Sequence, residues 1–292
     1  HIAIDDLERA YQAATAGQVV AVPPEATSFA RWARSLHESV DSAQQHAERA
    51  HWDTVTEHAP FTIRPAAQPR VEDSAQVVVA VEIDRIANLV RTRSIEPALA
   101  AALALALQRW RPQPASGTPH LNSVLVDVEG HGRDVSAGMD LSRSVGWFTA
   151  IYPVRLDLTA DTTPVEALAI AREAIASTPR GGVGFGVGAY LAGWRLPTKT
   201  SDVCLNYLGQ FNTPDREDAM FAHATEPLAP PASAGDRHYL LQVDAAIENG
   251  RLTVWLRHDT GTHTEAEVTA LADNTLAILT VLSSELGNSE RE

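Results

Sequence analysis

Positive charge is scarce in this sequence: 23 lysines and arginines stand against 37 aspartates and glutamates, a formal charge of −14 over 292 residues. No Lys/Arg-rich block forms a basic track, so a phosphate backbone would meet a net repulsive surface, and nucleic acid is excluded as the expected partner. Cysteine occurs once, at Cys204, which rules out an internal disulfide framework and any multi-cysteine zinc site. Its setting, SDVCLNYLG, reads as a strand interior, where a buried small hydrophobe is expected rather than a nucleophile. No apolar run reads as long enough to span a bilayer and no basic-plus-apolar leader opens the chain. The expectation is therefore a cytoplasmic protein with no membrane partner.

What is present is a core-forming composition, 45% hydrophobic, enough for one large domain or two smaller ones. HIAIDDLERAYQAATAG opens directly in helical periodicity, with Ile2, Ile4, Leu7 and Tyr11 broadly on one side and Gly17 as the stop; such a start is expected of part of a longer chain. Thr27 or Ser28 can cap a helix carrying Phe29, Trp32, Ala33 and Leu36. A polar-faced helix follows over roughly 39–55, expected to pack Ala43, Ala47, Ala50 and Trp52 and to leave its Glu and His residues wet. Residues 58–75, rich in Pro, Gln and Arg, mark a break.

After the break the pattern becomes α/β. AQVVVAVEI is a strand, DRIANLVRT a short helix, and EPALAAALALALQRW a helix so apolar that it must be enclosed. RPQPASGTPH is a loop, HLNSVLVDV a strand, and VGWFTAIYPVRLDL a second extended segment. Thr163-Pro164 starts a helix to about Ser177. PRGGVGFGVGAYLAG, with six glycines between 181 and 193, reads as a pliable loop or a close backbone approach. SDVCLNYLGQF is a strand-and-turn candidate and residues 213–235 an acidic, Pro-rich loop. HYLLQVDAAIENGRLTVWLRHDT is a hairpin turning at Asn249-Gly250, with Leu240, Val243, Leu252, Val254 and Leu256 on its strands. A last helix is expected over about 264–282, with a frayed tail.

Two chemical readings fail on spacing. In GGVGFGVG the glycines Gly182, Gly184 and Gly186 alternate out of register with GxGxxG, and a Walker lysine is missing. His46, His51 and His58 join no HExxH pattern and read as solvent-facing, so no metal is expected.

EGHGR, Glu129 to Arg133, is different. It crowds a carboxylate, an imidazole and a guanidinium around two glycines where a strand ends. A carboxylate at the end of a buried strand keeps useful basicity because burial disfavours its charged form. His131 and Arg133 can tune that carboxylate or anchor its loop. By spacing alone, Glu129 is open between proton transfer and a structural salt bridge to Arg133 or another partner.

EGHGR, then DLSRSVGWFTAIYPV from Asp140, then LNYLGQF from Leu205, together resemble the epimerization domain of nonribosomal peptide synthetases, within the condensation-domain superfamily. The opening helices resemble the segment that follows the family's HHxxxDG motif, which would lie immediately before His1; His1 itself is not the motif's histidine. The resemblance implies a fold of the chloramphenicol acetyltransferase type, α/β (α+β), a mixed sheet flanked by helices. Residues 1–75 would complete the first lobe and its linker, and 76–292 would form the second, with a tunnel between lobes.

The implied reaction is inversion at the α-carbon of an aminoacyl or peptidyl thioester held on the phosphopantetheine arm of a peptidyl carrier protein. No cofactor is bound by the domain itself. Glu129 corresponds to the family's carboxylate, and a histidine from HHxxxDG would supply the second protic group, so the isolated chain is expected to be inactive. Tyr207 is the second catalytic candidate and Asn206 can orient the thioester. Trp147 and Phe148 could line the tunnel or simply pack, and Asp140 reads as a loop-fixing residue with a charge partner. Two alternatives remain: a condensation domain forming amide bonds, and a carrier-binding or structural lobe without turnover.

Overall fold

The structure, a computed structural model, describes residues 2–57, 69–110, 123–133, 138–196, 201–211, 220 and 234–289. The loop expected over 111–120, most of the break at 58–75 and of the acidic loop at 213–235, and His58 lie outside the described residues. Three helices come first: α1 (Ile2–Thr15), α2 (Phe29–Glu38) and α3 (Ala43–Thr56). Ser28 caps α2 and Ser42 caps α3, each accepting from the backbone N–H three residues on.

A six-stranded mixed sheet forms the centre. Its strands are β1 (Ser74–Glu82), β2 (Ser123–Gly130), β3 (Ala150–Asp157), β4 (Val203–Phe211), β5 (Leu241–Glu248) and β6 (Arg251–Asp259), in the order β1-β6-β5-β4-β2-β3. β4 runs parallel to both β2 and β5, and the remaining pairs are antiparallel. The β5–β6 hairpin turns at Asn249-Gly250, both with positive φ, the twist-matched geometry the Asn-Gly pair favours.

Between and beyond the strands lie α4 (Ala87–Arg91), α5 (Ile95–Trp110), α6 (Pro164–Ala176), α7 (Val183–Gly186) and α8 (Glu265–Ser289). α5 packs between α6 and α8, and all three lean on the sheet. Leu99, Leu103, Leu105 and Leu107 on α5 are buried, each worth about 1.5–3 kcal/mol of burial. They meet the sheet residues of the same parity, among them Val126, Val128, Leu205, Val243 and Leu256. α6 opens on a capping box in which Thr163 and Glu166 satisfy each other's backbone N–H groups.

The opening helix forms as expected but buries none of its residues, and Ile4, Leu7 and Tyr11 are exposed. Several other expectations are corrected. On α3 the buried residues are Gln45, Glu48 and Trp52, while the alanines face outward. Arg180 is the cause: its guanidinium donates to Glu48 Oε1 at 2.5 Å and Oε2 at 3.0 Å, and to the Gln45 side-chain oxygen. The glycine-rich segment passes through left-handed φ at Arg180, Gly181 and Gly182 and then forms helical turns from Val183, ending in a π-helical turn at Val187–Leu191, rather than a pliable loop. The close backbone approach does occur, since a Cβ on Gly184 would lie 1.7 Å from the Glu48 carboxylate. α8 continues to Ser289 where fraying was expected, and its 265–288 stretch is long and apolar enough to cross a membrane. It packs on β1, α4 and α5 as a core helix of this sheet.

Candidate active site

Strand parity sorts the sheet into two unlike faces. Val124, Val126 and Val128 point toward the helices, so Asp127 and Glu129 point to the other side. Register then carries the same side across the neighbouring strands. Glu129 pairs with Asn206, and Asn206 with Asp244; Asp127 pairs with Cys204, and Cys204 with Gln242, which faces Arg257. Two short rows thus run on the face away from the helices, Glu129–Asn206–Asp244 across β2, β4 and β5, and Asp127–Cys204–Gln242–Arg257 on to β6.

Side-chain contacts knit these rows together. The Asn206 amide donates to Asp244 Oδ1 at 3.2 Å, and Arg257 donates to Asp244 Oδ2 at 2.6 Å. The Tyr239 hydroxyl donates to Asp127 Oδ2 at 2.9 Å. The Cys204 thiol lies 3.8 Å from Glu129 Oε1. Burial and the surrounding carboxylates push that thiol far up, so Cys204 stays protonated, as a buried small side chain should. Glu129 is half-buried. Burial first, then the negative Asp244, raise its pKa above the ordinary 4.5, while Cys204 and Arg257 partly offset them.

The glycines of EGHGR serve the loop that follows. Gly132 has φ +61°, and a Cβ there would sit 1.7 Å from the Phe148 carbonyl oxygen. Arg133 does not pair with Glu129. Its guanidinium donates to the carbonyls of Leu141 at 2.5 Å and Ser144 at 3.0 Å and lies 4.2 Å over the Phe148 ring. The His131 ring accepts from the Arg133 backbone N–H at 3.1 Å. Arg133 therefore holds the loop that carries DLSRSVGWF and His131 fixes the backbone at Arg133, while the buried Ser144 hydroxyl ties that loop to Thr27 O, just before the α2 cap.

Asp140 fixes this loop through the Ser142 backbone N–H at 3.0 Å rather than through a charge partner. Arg143 instead reaches α1, with one guanidinium nitrogen 2.6 and 2.8 Å from the two Asp6 oxygens. Phe148 packs against Phe29 and Trp32. Trp147 is 80% exposed.

Tyr207 stands apart from Glu129. One residue on from Asn206 and paired with Ala245, it points to the helix side of the sheet. There it borders a cavity of about 210 Å³ whose walls include Arg93, Ile95, Glu96, Gln210 and Ile247. Burial and then the Glu96 carboxylate raise its pKa, and burial raises that of Glu96. The structure brings Glu129 and Asn206 together and leaves Tyr207 across the sheet. Asp244, Arg257 and Glu96 escaped the sequence reading. The one available signal was Asp244 itself, a charge interrupting the apolar run LLQVDAAI.

No group of three or more His, Cys, Asp or Glu residues is arranged to hold a metal ion among the described residues. A condensation-domain profile matches residues 1–292. The chain belongs to the condensation-domain family. It is 32% identical over 301 residues to a linear gramicidin synthase of Brevibacillus parabrevis, covering 95% of this chain and 6% of that protein. Identity to chondramide synthase of Chondromyces crocatus is 31% over 290 residues, covering 93% of this chain and 7% of that protein. The chain thus spans a small fraction of these relatives' length. Among solved structures, the epimerization domain from the third module of tyrocidine synthetase B is similar with a TM-score of 0.83 and 26% identity, over 99% of this chain and 66% of that one. The X-domain from teicoplanin biosynthesis shares the fold at a TM-score of 0.67 and 18% identity, over 98% of this chain and 66% of that one. The mixed sheet flanked by helices is the condensation-domain architecture.

Proposed function

We propose that this condensation-family chain is part of a peptide-synthetase epimerization domain that inverts the α-carbon of an aminoacyl or peptidyl thioester. The substrate would arrive on the phosphopantetheine arm of a peptidyl carrier protein, in the cytoplasm, and the chain itself would need no bound cofactor. Residues 1–75 would close one lobe and 76–292 form the other. The observation that carries this reading is Glu129: a half-buried carboxylate with raised basicity at a strand end, beside an orientable amide. The likeness to the tyrocidine synthetase B domain supports inversion over amide formation.

A thioester acidifies its α-proton, and the enolate that forms must be reprotonated from the opposite face to change configuration. Glu129 would serve one face. Asn206, with one N–H held by Asp244, would present its remaining polar atoms to the thioester carbonyl or its neighbouring amide. A histidine of the HHxxxDG motif would serve the other face. Trp147, exposed beside the anchored loop, would meet the arm rather than the reacting carbon. Tyr207 lies on the sheet's other side, bordering the Glu96 cavity, and would take no part in proton transfer at Glu129.

The test is α-deuterium washout from a carrier-bound aminoacyl thioester by the full-length protein, with chirality of the released product read in parallel. Glu129→Gln should slow washout by about 10²–10⁴-fold while circular dichroism and carrier binding stay unchanged. Washout at the wild-type rate in Glu129→Gln would remove the proposed role. Carrier binding without washout in the wild type would favour a non-catalytic lobe, and amide formation without inversion a condensation domain.

A further inference from the structure

We propose that Asp244 is the positioning residue of this site: clamped by Arg257, it orients the Asn206 amide and keeps a second negative charge on the row that holds Glu129. The inference rests on the reading of Glu129 as the proton-transferring carboxylate, and it adds a residue that acts through two others.

The geometry is a one-dimensional relay. Glu129, Asn206 and Asp244 occupy one register row on β2, β4 and β5, so their side chains leave the sheet on the same side at adjacent-strand spacing. Asp244 is almost fully enclosed and both of its oxygens are engaged, Oδ1 by the Asn206 amide and Oδ2 by Arg257. The guanidinium at 2.6 Å makes the Oδ2 contact a charge-assisted hydrogen bond. Because the N–H₂ end of Asn206 is drawn to that carboxylate, its carbonyl is turned away from Asp244, so one amide orientation is selected over its flip.

The same arrangement decides which carboxylate receives the cation. Glu129 faces Cys204 on β4, Asp244 on β5, Arg257 on β6 and Tyr239 just before β5, with Asp127 two residues back on its own strand. Arg257 contacts Asp244 rather than Glu129, so Arg257 and the Cys204 thiol only partly offset burial and the like charge at Glu129. A base that must take a carbon-bound proton gains from that poverty of stabilisation. Replacing Asp244 by Asn removes the like charge, frees Arg257 to approach Glu129, and leaves one acceptor oxygen where the Asn206 amide and Arg257 each had their own. All three changes work against proton abstraction.

Two measurements on the full-length protein test this. The first is the infrared titration of the Glu129 carboxyl band, isolated by subtracting the spectrum of Glu129→Gln. Its midpoint should lie above 4.5 in wild type and move lower in Asp244→Asn. The second is the pH profile of α-deuterium washout, whose acid limb should move the same way while kcat falls about 10–100-fold with little change in KM. If Asp244→Asn does not fold, Asp244→Asn/Arg257→Gln leaves no unpaired charge, and its midpoint should also move down because Asp244 outweighs Arg257 at Glu129. An unchanged infrared midpoint overturns the proposal even where washout is normal. Absence of washout in the wild type overturns the epimerase reading, while the infrared midpoint still decides whether Asp244 governs Glu129.

Discussion

A side chain at position 132 has nowhere to go, because the Phe148 carbonyl oxygen occupies the place of its Cβ and the φ of +61° is one that L residues avoid. Gly132→Ala should therefore cost more than the about 1–2 kcal/mol of the left-handed backbone alone, since the carbonyl must also move. The loop from Arg133 to Phe148 would shift with it. Thermal unfolding should show the loss, and Trp fluorescence should report the displaced Phe148–Trp32 contact. An unchanged melting temperature would show that the loop yields cheaply. At this scale the sequence was legible where residue type is costly: a carboxylate and two glycines at a strand end, and an Asn-Tyr pair in an apolar strand. It was not legible where register decides. Whether Tyr207 or Asn206 shares a face with Glu129 depends on which β4 residue lies opposite position 129, and that follows from tertiary pairing alone.

Among the elements, α3 shows why a polar pattern can mislead. Alanines read as its packing face, yet the helix turns Gln45 and Glu48 inward because Arg180, 132 residues after Glu48, supplies a partner no local pattern announces. The side chains of the pair are only 7% and 9% exposed. Glu48→Met or Arg180→Met alone should leave a buried charge unpaired and cost about 3–5 kcal/mol. The double variant Glu48→Met/Arg180→Met should recover most of that loss, since apolar pairs of similar volume often replace buried ion pairs without penalty. Denaturant unfolding of the three variants gives the coupling directly; additive losses would mean the two charges do not stabilise each other. Other elements are legible nearly to the residue wherever a cap or turn residue marks an end, as at Ser28, Thr163 and Asn249-Gly250.

Across the whole molecule, the sheet divides the chemistry: helices α5, α6 and α8 cover one face with apolar side chains, and the two polar rows occupy the other. Mixed α/β class and strand order of appearance followed from periodicity, whereas the parallel placement of β4 between β2 and β5 did not, because crossovers leave no mark in a single strand's pattern. This division also sets how global stability depends on pH. His258, at the end of β6 on the helix-covered side, is 1% exposed, and burial, then the neighbouring Arg237, lower its pKa below the ordinary 6.5, with Glu265 and Asp259 opposing. His263 nearby is lowered by burial as well. An unfolded histidine then binds a proton that the folded one refuses, so stability present above pH 6.5 is lost as pH falls through that value toward the folded pKa. Glu96 and Glu129 act in the other direction, since their raised carboxyls favour the folded state as pH falls toward 4.5. The two effects are separated by comparing variants. In His258→Phe the drop in melting temperature between pH 7 and pH 5.5 should be smaller than in wild type, at about 2–4 °C for each kcal/mol of histidine linkage removed. Parallel melting curves for the two proteins across that range would show that His258 takes up its proton in the folded state as readily as in the unfolded one.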